Sequence, residues 1–177
     1  MGRQTAGNLN RVNTPYRCGA GVAERVLPSE RGQVIAGGSG MNEILLVEDS
    51  DDDADHIQRL LEQAHVSNPL VRLSDGKQAL RYLGLIEEAF ESSAPPVPAV
   101  LLLDLKLPGP DGFDVLERIK LRGGFQKTLR VVLSGIDDTA IIRKAYAFGA
   151  RSFLTKPIHA QDLQELIRTY PEYWLIG

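Results

Sequence analysis

From residue 41 onward, short and mostly apolar runs alternate with longer segments whose apolar residues recur every three or four positions. The short runs are Ile44–Val47, Leu70–Leu73, Ala99–Leu103, Leu129–Leu133 and Ser152–Leu154. Runs such as Val100-Leu101-Leu102-Leu103 lack polar alternation, which predicts strands covered on both faces. The longer segments predict helices at about 52–65, 75–90, 112–122, 137–148 and 160–169. In the first, Ile57, Leu60, Leu61 and Ala64 build one buried stripe, and in the fourth Ile141, Ile142, Ala145 and Phe148 do the same. Asp75 and Asp111, each followed by glycine, sit where N-caps belong, and Gly149 is placed to end the fourth helix. Five strand–helix repeats in this order predict an α/β fold, a doubly wound parallel sheet with helices on both faces. In such sheets ligands bind beyond the carboxyl ends of the strands.

Residues 1–40 show no such pattern. They contain eight glycines and scattered Arg and Asn, and read as a disordered leader, tag or linker, with Met41 as an alternative start. Gly37-Gly38-Ser39-Gly40 reads as a flexible joint. An Arg-rich, acid-poor composition resembles a transit peptide, but Glu24, Glu30 and the missing amphipathic period argue against one. The chain divides into this segment, a domain at 41–169 and an aromatic tail at 170–177. At 177 residues, 43% hydrophobic, it suffices for one core. No apolar run approaches the ~20 residues of a membrane span. Cys18 is the single cysteine, which excludes a disulfide scaffold and fits a reducing, cytoplasmic location. Charge is split, about +3 on residues 1–40 and −6 on the remainder. An acidic body argues against nonspecific nucleic-acid binding.

The predicted strand ends carry chemistry. The first ends in Glu48-Asp49, the third in Asp104, the fourth in Ser134-Gly135, and the fifth is followed by Thr155-Lys156-Pro157. Two carboxylates ~4 Å apart repel by ~4 kcal/mol at an effective dielectric of 20, so such a group favours a cation. All-oxygen ligands select a hard ion, Mg²⁺ or Mn²⁺, of the kind that commonly serves phosphoryl groups. Lys156 adds a second positive charge and Ser134 a donor, so the site reads as one where a phosphoryl group is accepted and held.

Ile44–Asp49, Leu101–Gly112, Val131–Gly135 and Phe153–Pro157 together resemble the receiver domain of two-component response regulators, over about 41–169. The resemblance implies a flavodoxin-like (βα)5 fold with five parallel strands and five helices. It implies that Asp104 accepts a phosphoryl group from a sensor histidine kinase. Asp49 and Asp104 would hold Mg²⁺ directly, Glu48 would help through water, and Lys106 would add its backbone carbonyl. Ser134 matches the switch hydroxyl, Phe153 the switch aromatic and Lys156 the lysine that pairs with the phosphoryl group. Lys156-Pro157 is then expected to be cis, which an X–Pro bond tolerates. Ending at Tyr170-Pro171-Glu172-Tyr173-Trp174-Leu175-Ile176-Gly177, the chain leaves no room for a DNA-binding output domain and is expected to stand alone. This tail and the segment Ile86–Pro98 are similar to small regulators that serve bacterial phytochromes. A bacteriophytochrome is therefore a candidate kinase, a homodimer is a candidate output, and neither a nucleic acid nor a membrane is expected as partner.

Other features read as ordinary. Asp51, Asp52, Asp53 and Asp55 are expected to support the positive end of the first helix. His56, His65 and His159 are expected at the surface. For Trp174, packing against the domain and an exposed contact are both open. Two rival functions follow from the same residues. One is a receiver-fold binding module that works without phosphate. The other is a small phosphatase with an aspartyl-phosphate intermediate, for which Lys106 stands where the general acid is needed.

Overall fold

A computed structural model describes residues 42–86 and 97–177, and the backbone strand β1 at Val34–Ile35. The remaining elements are β2 (Ile44–Val47), α1 (Asp51–Gln63), β3 (Leu70–Leu73), α2 (Gly76–Tyr82), β4 (Val100–Asp104), α3 (Gly112–Arg122), β5 (Leu129–Ser134), α4 (Thr139–Ala147), β6 (Ser152–Thr155) and α5 (Ala160–Thr169), followed by a 3-10 turn at Pro171–Tyr173. The sheet order is β1-β3-β2-β4-β5-β6. β3, β2, β4, β5 and β6 pair in parallel, which is the five-stranded doubly wound sheet expected. β1 adds antiparallel to β3, with Val34 opposite Val71 and Ile35 opposite Leu70. It occupies an edge that would otherwise present unpaired backbone groups. The rest of residues 1–40, including Gly37–Gly40, and residues 87–96 of the segment before β4 lie outside the described residues.

Alternation along the strands sorts the core into two layers. Leu45, Val47, Leu101, Leu103, Val132 and Phe153 face α2, α3 and α4 through Leu80, Val115, Leu116, Ile119, Ile142 and Ala145. Ile44, Leu46, Val100, Leu102, Val131 and Leu133 face α1 and α5 through Ile57, Leu60, Leu61, Leu163 and Leu166. The expected caps are present. Asp75 accepts from the Gln78 amide at 2.7 Å, and Asp111 forms a reciprocal capping box with Asp114. Gly149, at φ +95°, follows the C-cap of α4 and supplies the left-handed turn that stops it.

Trp174 is buried in the α1–α5 layer with Tyr170, which decides between its two readings in favour of packing. The tail returns to the turn between α1 and β3, where Val66 and Ile176 form an antiparallel bridge. No described helix is long and apolar enough to cross a membrane.

Candidate functional site

The sheet ladder carries the polar residues to one edge. Val47 pairs with Leu103, so Glu48 and Asp104 leave neighbouring strands side by side. Asp104 pairs with Leu133, and Ser134 with Thr155, which puts Ser134 and Lys156 on the adjoining ends. Glu48 is fully buried, Asp104 is 5% exposed and Asp49 is exposed. One carboxylate oxygen from each lies within 4.8 Å of the other two.

Lys156 is the cation at the centre. Its Nζ donates to Glu48 Oε2 at 2.6 Å, Asp53 Oδ2 at 2.9 Å and Asp104 Oδ2 at 3.1 Å. An ammonium has three donors, and all three are engaged. Burial alone would lower the Lys156 pKa. The hydrogen bonds that Lys156 donates to Glu48 and Asp53 and the charges of Asp104 and Glu48 outweigh it and raise the value. For Glu48 burial is the largest influence and raises its pKa, while the Lys156 hydrogen bond and charge offset only part of this. The peptide bond Lys156-Pro157 is cis, as expected. His56 on α1 bonds the Ile158 carbonyl at 2.8 Å, tying the following loop to α1. His56, His65 and His159 are all exposed.

The other predicted residues are placed around this centre. The Lys106 amide donates to Asp104 Oδ1 at 3.1 Å, while the Lys106 side chain is exposed. Both Asp104 oxygens therefore have a donor. Ser134 is buried; its carbonyl accepts the Lys156 amide at 2.8 Å and its hydroxyl accepts the Ile136 amide at 3.1 Å. Phe153 is also buried, in the same layer as Ile142 and Ala145 of α4.

Two contributors were not singled out for the site by sequence reasoning. Asp53, expected only to support the helix, turns its carboxylate back onto Lys156 from the first turn of α1. Ser50 caps that helix, accepting the Asp53 amide at 3.2 Å. The spacing held a signal, because the third helical residue projects back toward the strand end. Arg72 on β3 donates to the Glu48 carbonyl from both Nε and Nη2 at 3.2 Å and pairs with Asp51 at 2.7 Å. Its signal was a lone charge within an apolar strand.

The donor set fits a hard divalent ion. It offers three carboxylates, two of them buried, with no nitrogen or sulfur ligand among its members. Bringing these acids together without a cation is costly, and Lys156 offsets only part of the charge.

Fold and site together define a receiver, a sheet whose carboxyl edge gathers an acid pair, a buried aspartate and a lysine. Residues 44–168 match the response regulator receiver domain family, and the chain belongs to it. A protein of Methanothrix harundinacea named "Probable methanogenesis regulatory protein FilR2" is 38% identical over 132 residues, 75% of this chain and 83% of that protein. Response regulator Rcp1 of Synechocystis sp. is 32% identical over 75% of this chain and 88% of its own length. The solved Mn²⁺-bound form of response regulator Rcp1 superposes with a TM-score of 0.59 and 30% identity, over 74% of this chain and 92% of that one. The phosphorylated cyanobacterial phytochrome response regulator RcpA superposes with a TM-score of 0.59 and 32% identity, over 75% and 92%. The chain is thus similar to phytochrome response regulators that it spans almost end to end.

Proposed function

We propose that this chain is a phosphorylation switch in which Asp104 takes a phosphoryl group from a histidine kinase. The carrying observation is the environment of Asp104, a buried carboxylate with the Lys106 amide on one oxygen and Lys156 on the other. In the transfer, an Asp104 oxygen attacks phosphorus, the bond from phosphorus to the kinase imidazole nitrogen breaks, and the imidazole leaves with the electron pair. A Mg²⁺ or Mn²⁺ ion at Glu48, Asp49 and Asp104, completed by the Lys106 carbonyl, would offset charge developing on the phosphoryl oxygens. Lys156 supplies the protein's own positive charge to the same oxygens. A Mn²⁺-bound form of Rcp1 and a phosphorylated form of RcpA support this reading.

Ser134 is the switch hydroxyl. In the present state it holds the Ile136 amide, at the start of the loop that leads to α4. Turning toward a phosphoryl oxygen releases that amide, and Phe153, packed in the same layer as α4, adjusts with it. The changed face lies on α4, β6 and α5, and its output is a protein contact, with a second copy of the chain as one candidate. This is a population shift between two states of the domain. The kinase most in keeping with the relatives is a bacteriophytochrome, and the setting is the cytoplasm. Lys106 two positions after Asp104 argues against turnover of phosphomonoesters, since an ammonium is a poor general acid near neutrality. The full set of acids, acceptor and lysine argues against a module that signals without phosphate.

The test is phosphate incorporation from acetyl phosphate, with and without Mg²⁺, in the full chain and its Asp104→Asn variant. Incorporation should require both the ion and Asp104. Equal labelling of the Asp104→Asn variant would remove the assignment.

A further inference from the structure

We infer that Asp53 is a positioning residue that keeps Lys156 aimed at the phosphoryl group; this rests on the phosphorylation reading above. Lys156 Nζ has three donors and spends them on Glu48, Asp53 and Asp104. The bond to Asp104 is the longest of the three, at 3.1 Å, and it is the one that phosphorylation converts. Once Asp104 carries the phosphoryl group, that third donor passes to a phosphoryl oxygen. The other two donors then fix where the nitrogen stands.

Those two anchors differ in kind. Glu48 is fully buried and lies within the acid group that fits a metal ion, so an ion there competes with Lys156 for its charge. Asp53 lies outside that group and is half-exposed, on the first turn of α1. Its hold on Lys156 persists when an ion occupies Glu48, Asp49 and Asp104. Ser50 fixes the start of that turn by capping the Asp53 amide, so the carboxylate is presented from a rigid element. Two anchors on different elements, one at the end of β2 and one on α1, define the ammonium position better than one does. Through-space electrostatics runs the opposite way. An extra carboxylate near an anionic ligand repels it, so simple charge removal at residue 53 should tighten anion binding.

That opposition of signs makes the experiment decisive. Beryllofluoride, a phosphoryl mimic, is titrated at saturating Mg²⁺ into wild type, Asp53→Ala, Asp53→Asn and Asp52→Ala, followed by the amide NMR signals of Ser134 and Ile136. Asp52 is an exposed neighbour in the same turn, so its variant removes the same charge from the same helix end. Asp53→Ala is expected to weaken beryllofluoride binding roughly three- to tenfold, a fraction of the worth of a charge-assisted hydrogen bond. Asp53→Asn, which retains an acceptor for Lys156, should fall between Asp53→Ala and wild type. Asp52→Ala should match wild type or bind slightly tighter. A separate Mg²⁺ titration should show no greater change in Asp53→Ala than in Asp52→Ala. Equal beryllofluoride affinities in the two alanine variants, or tighter binding in Asp53→Ala, would overturn the inference. So would a selective loss of Mg²⁺ affinity in Asp53→Ala, which would make Asp53 a metal ligand instead. Failure of wild type to bind beryllofluoride at all would overturn the phosphorylation reading itself, and this inference with it.

Discussion

A methyl group at Gly112 would stand 2.4 Å from the Asp104 carbonyl oxygen and 2.8 Å from the Leu105 Cα. Both are backbone atoms, so neither can rotate away. Gly112 also donates its amide to the Leu105 carbonyl at 3.1 Å, which draws the start of α3 against the end of β4. The close approach exists because Asp104 and the first turn of α3 are packed without a side chain between them. Gly112→Ala is therefore expected to destabilise the domain by ~1–3 kcal/mol, as overpacking commonly does. It should also displace Asp104, lowering phosphate incorporation from acetyl phosphate at temperatures where the variant is folded. Gly135, beside Ser134, gives the contrast. A methyl there meets nothing within 4 Å, and its backbone is not in the left-handed region. Gly135→Ala should change the unfolding free energy measured in urea by less than ~0.5 kcal/mol. Equal destabilisation by the two changes would refute this account of Gly112. The sequence marks both glycines as neighbours of polar residues, but a close approach between β4 and α3 is not visible along one dimension. The same limit hid Asp53, whose role depends on a contact with a residue 103 positions away.

Among elements, α2 is held to the far end of the sheet by a buried pair. Tyr82 Oη donates to Glu43 Oε1 at 2.6 Å, joining the last residue of α2 to the residue before β2. Burial raises the Glu43 pKa above the usual carboxylate value, and the Tyr82 hydrogen bond offsets only part of that. Burial and the adjacent Glu43 raise the Tyr82 pKa in turn. A carboxyl whose pKa is raised by folding binds its proton more tightly in the native state. Its contribution to stability is full below the unfolded value of ~4.3 and is lost as pH rises through the raised value. Glu43→Gln keeps an acceptor for Tyr82 and removes the titration. Wild type should therefore lose stability relative to Glu43→Gln as pH rises above ~4, with a constant difference at lower pH. Urea midpoints of the two proteins between pH 3.5 and 8 test this, and parallel curves would contradict it. At this scale the sequence was largely legible, because apolar runs and helical period marked every parallel strand and helix, and caps marked the starts of α2 and α3 and the end of α4. Three strands, β4, β5 and β6, run one residue beyond their last predicted apolar position, to Asp104, Ser134 and Thr155. Apolar patterning stops at the last hydrophobic side chain, whereas the ladder continues through the backbone, and it is this extra residue that brings the site together. Helix α2 ends at Tyr82, short of the predicted 90, where Leu83 caps it and Gly84 takes φ +63°.

At the scale of the whole molecule, the chain end is joined to the residues that lead into β2 through one side chain. Asn68, in the turn between α1 and β3, donates from Nδ2 to the Asn42 carbonyl at 2.6 Å and to the Tyr173 carbonyl at 3.1 Å. Its Oδ1 accepts the Leu175 amide at 2.6 Å. The Ser67 amide reaches the Leu175 carbonyl at 2.7 Å, and the Gly177 amide reaches the His65 carbonyl at 2.9 Å. These bonds hold Trp174 in the layer between the sheet and α5. An aromatic run without period says that apolar area must be covered somewhere but not by what, which is why the sequence left Trp174 undecided. Asn68 is buried, so Asn68→Ala leaves the Asn42 and Tyr173 carbonyls and the Leu175 amide short of partners. The expected cost is ~1–3 kcal/mol. Because the loss falls on the tail, Trp174 should leave its site before the sheet unfolds. Trp174 is the single tryptophan, so its emission reports the tail alone. In wild type the urea transitions by tryptophan emission and far-ultraviolet circular dichroism should coincide. In Asn68→Ala the emission transition should come first and shift to the red, while acetyl phosphate labelling of Asp104 persists without urea. The second expectation follows from placement, since Asn42 precedes β2 and Asp104 ends β4, at opposite edges of a parallel sheet. Coincident transitions in the variant would show instead that the tail and the sheet unfold as one unit, with Trp174 held by its packing rather than by Asn68.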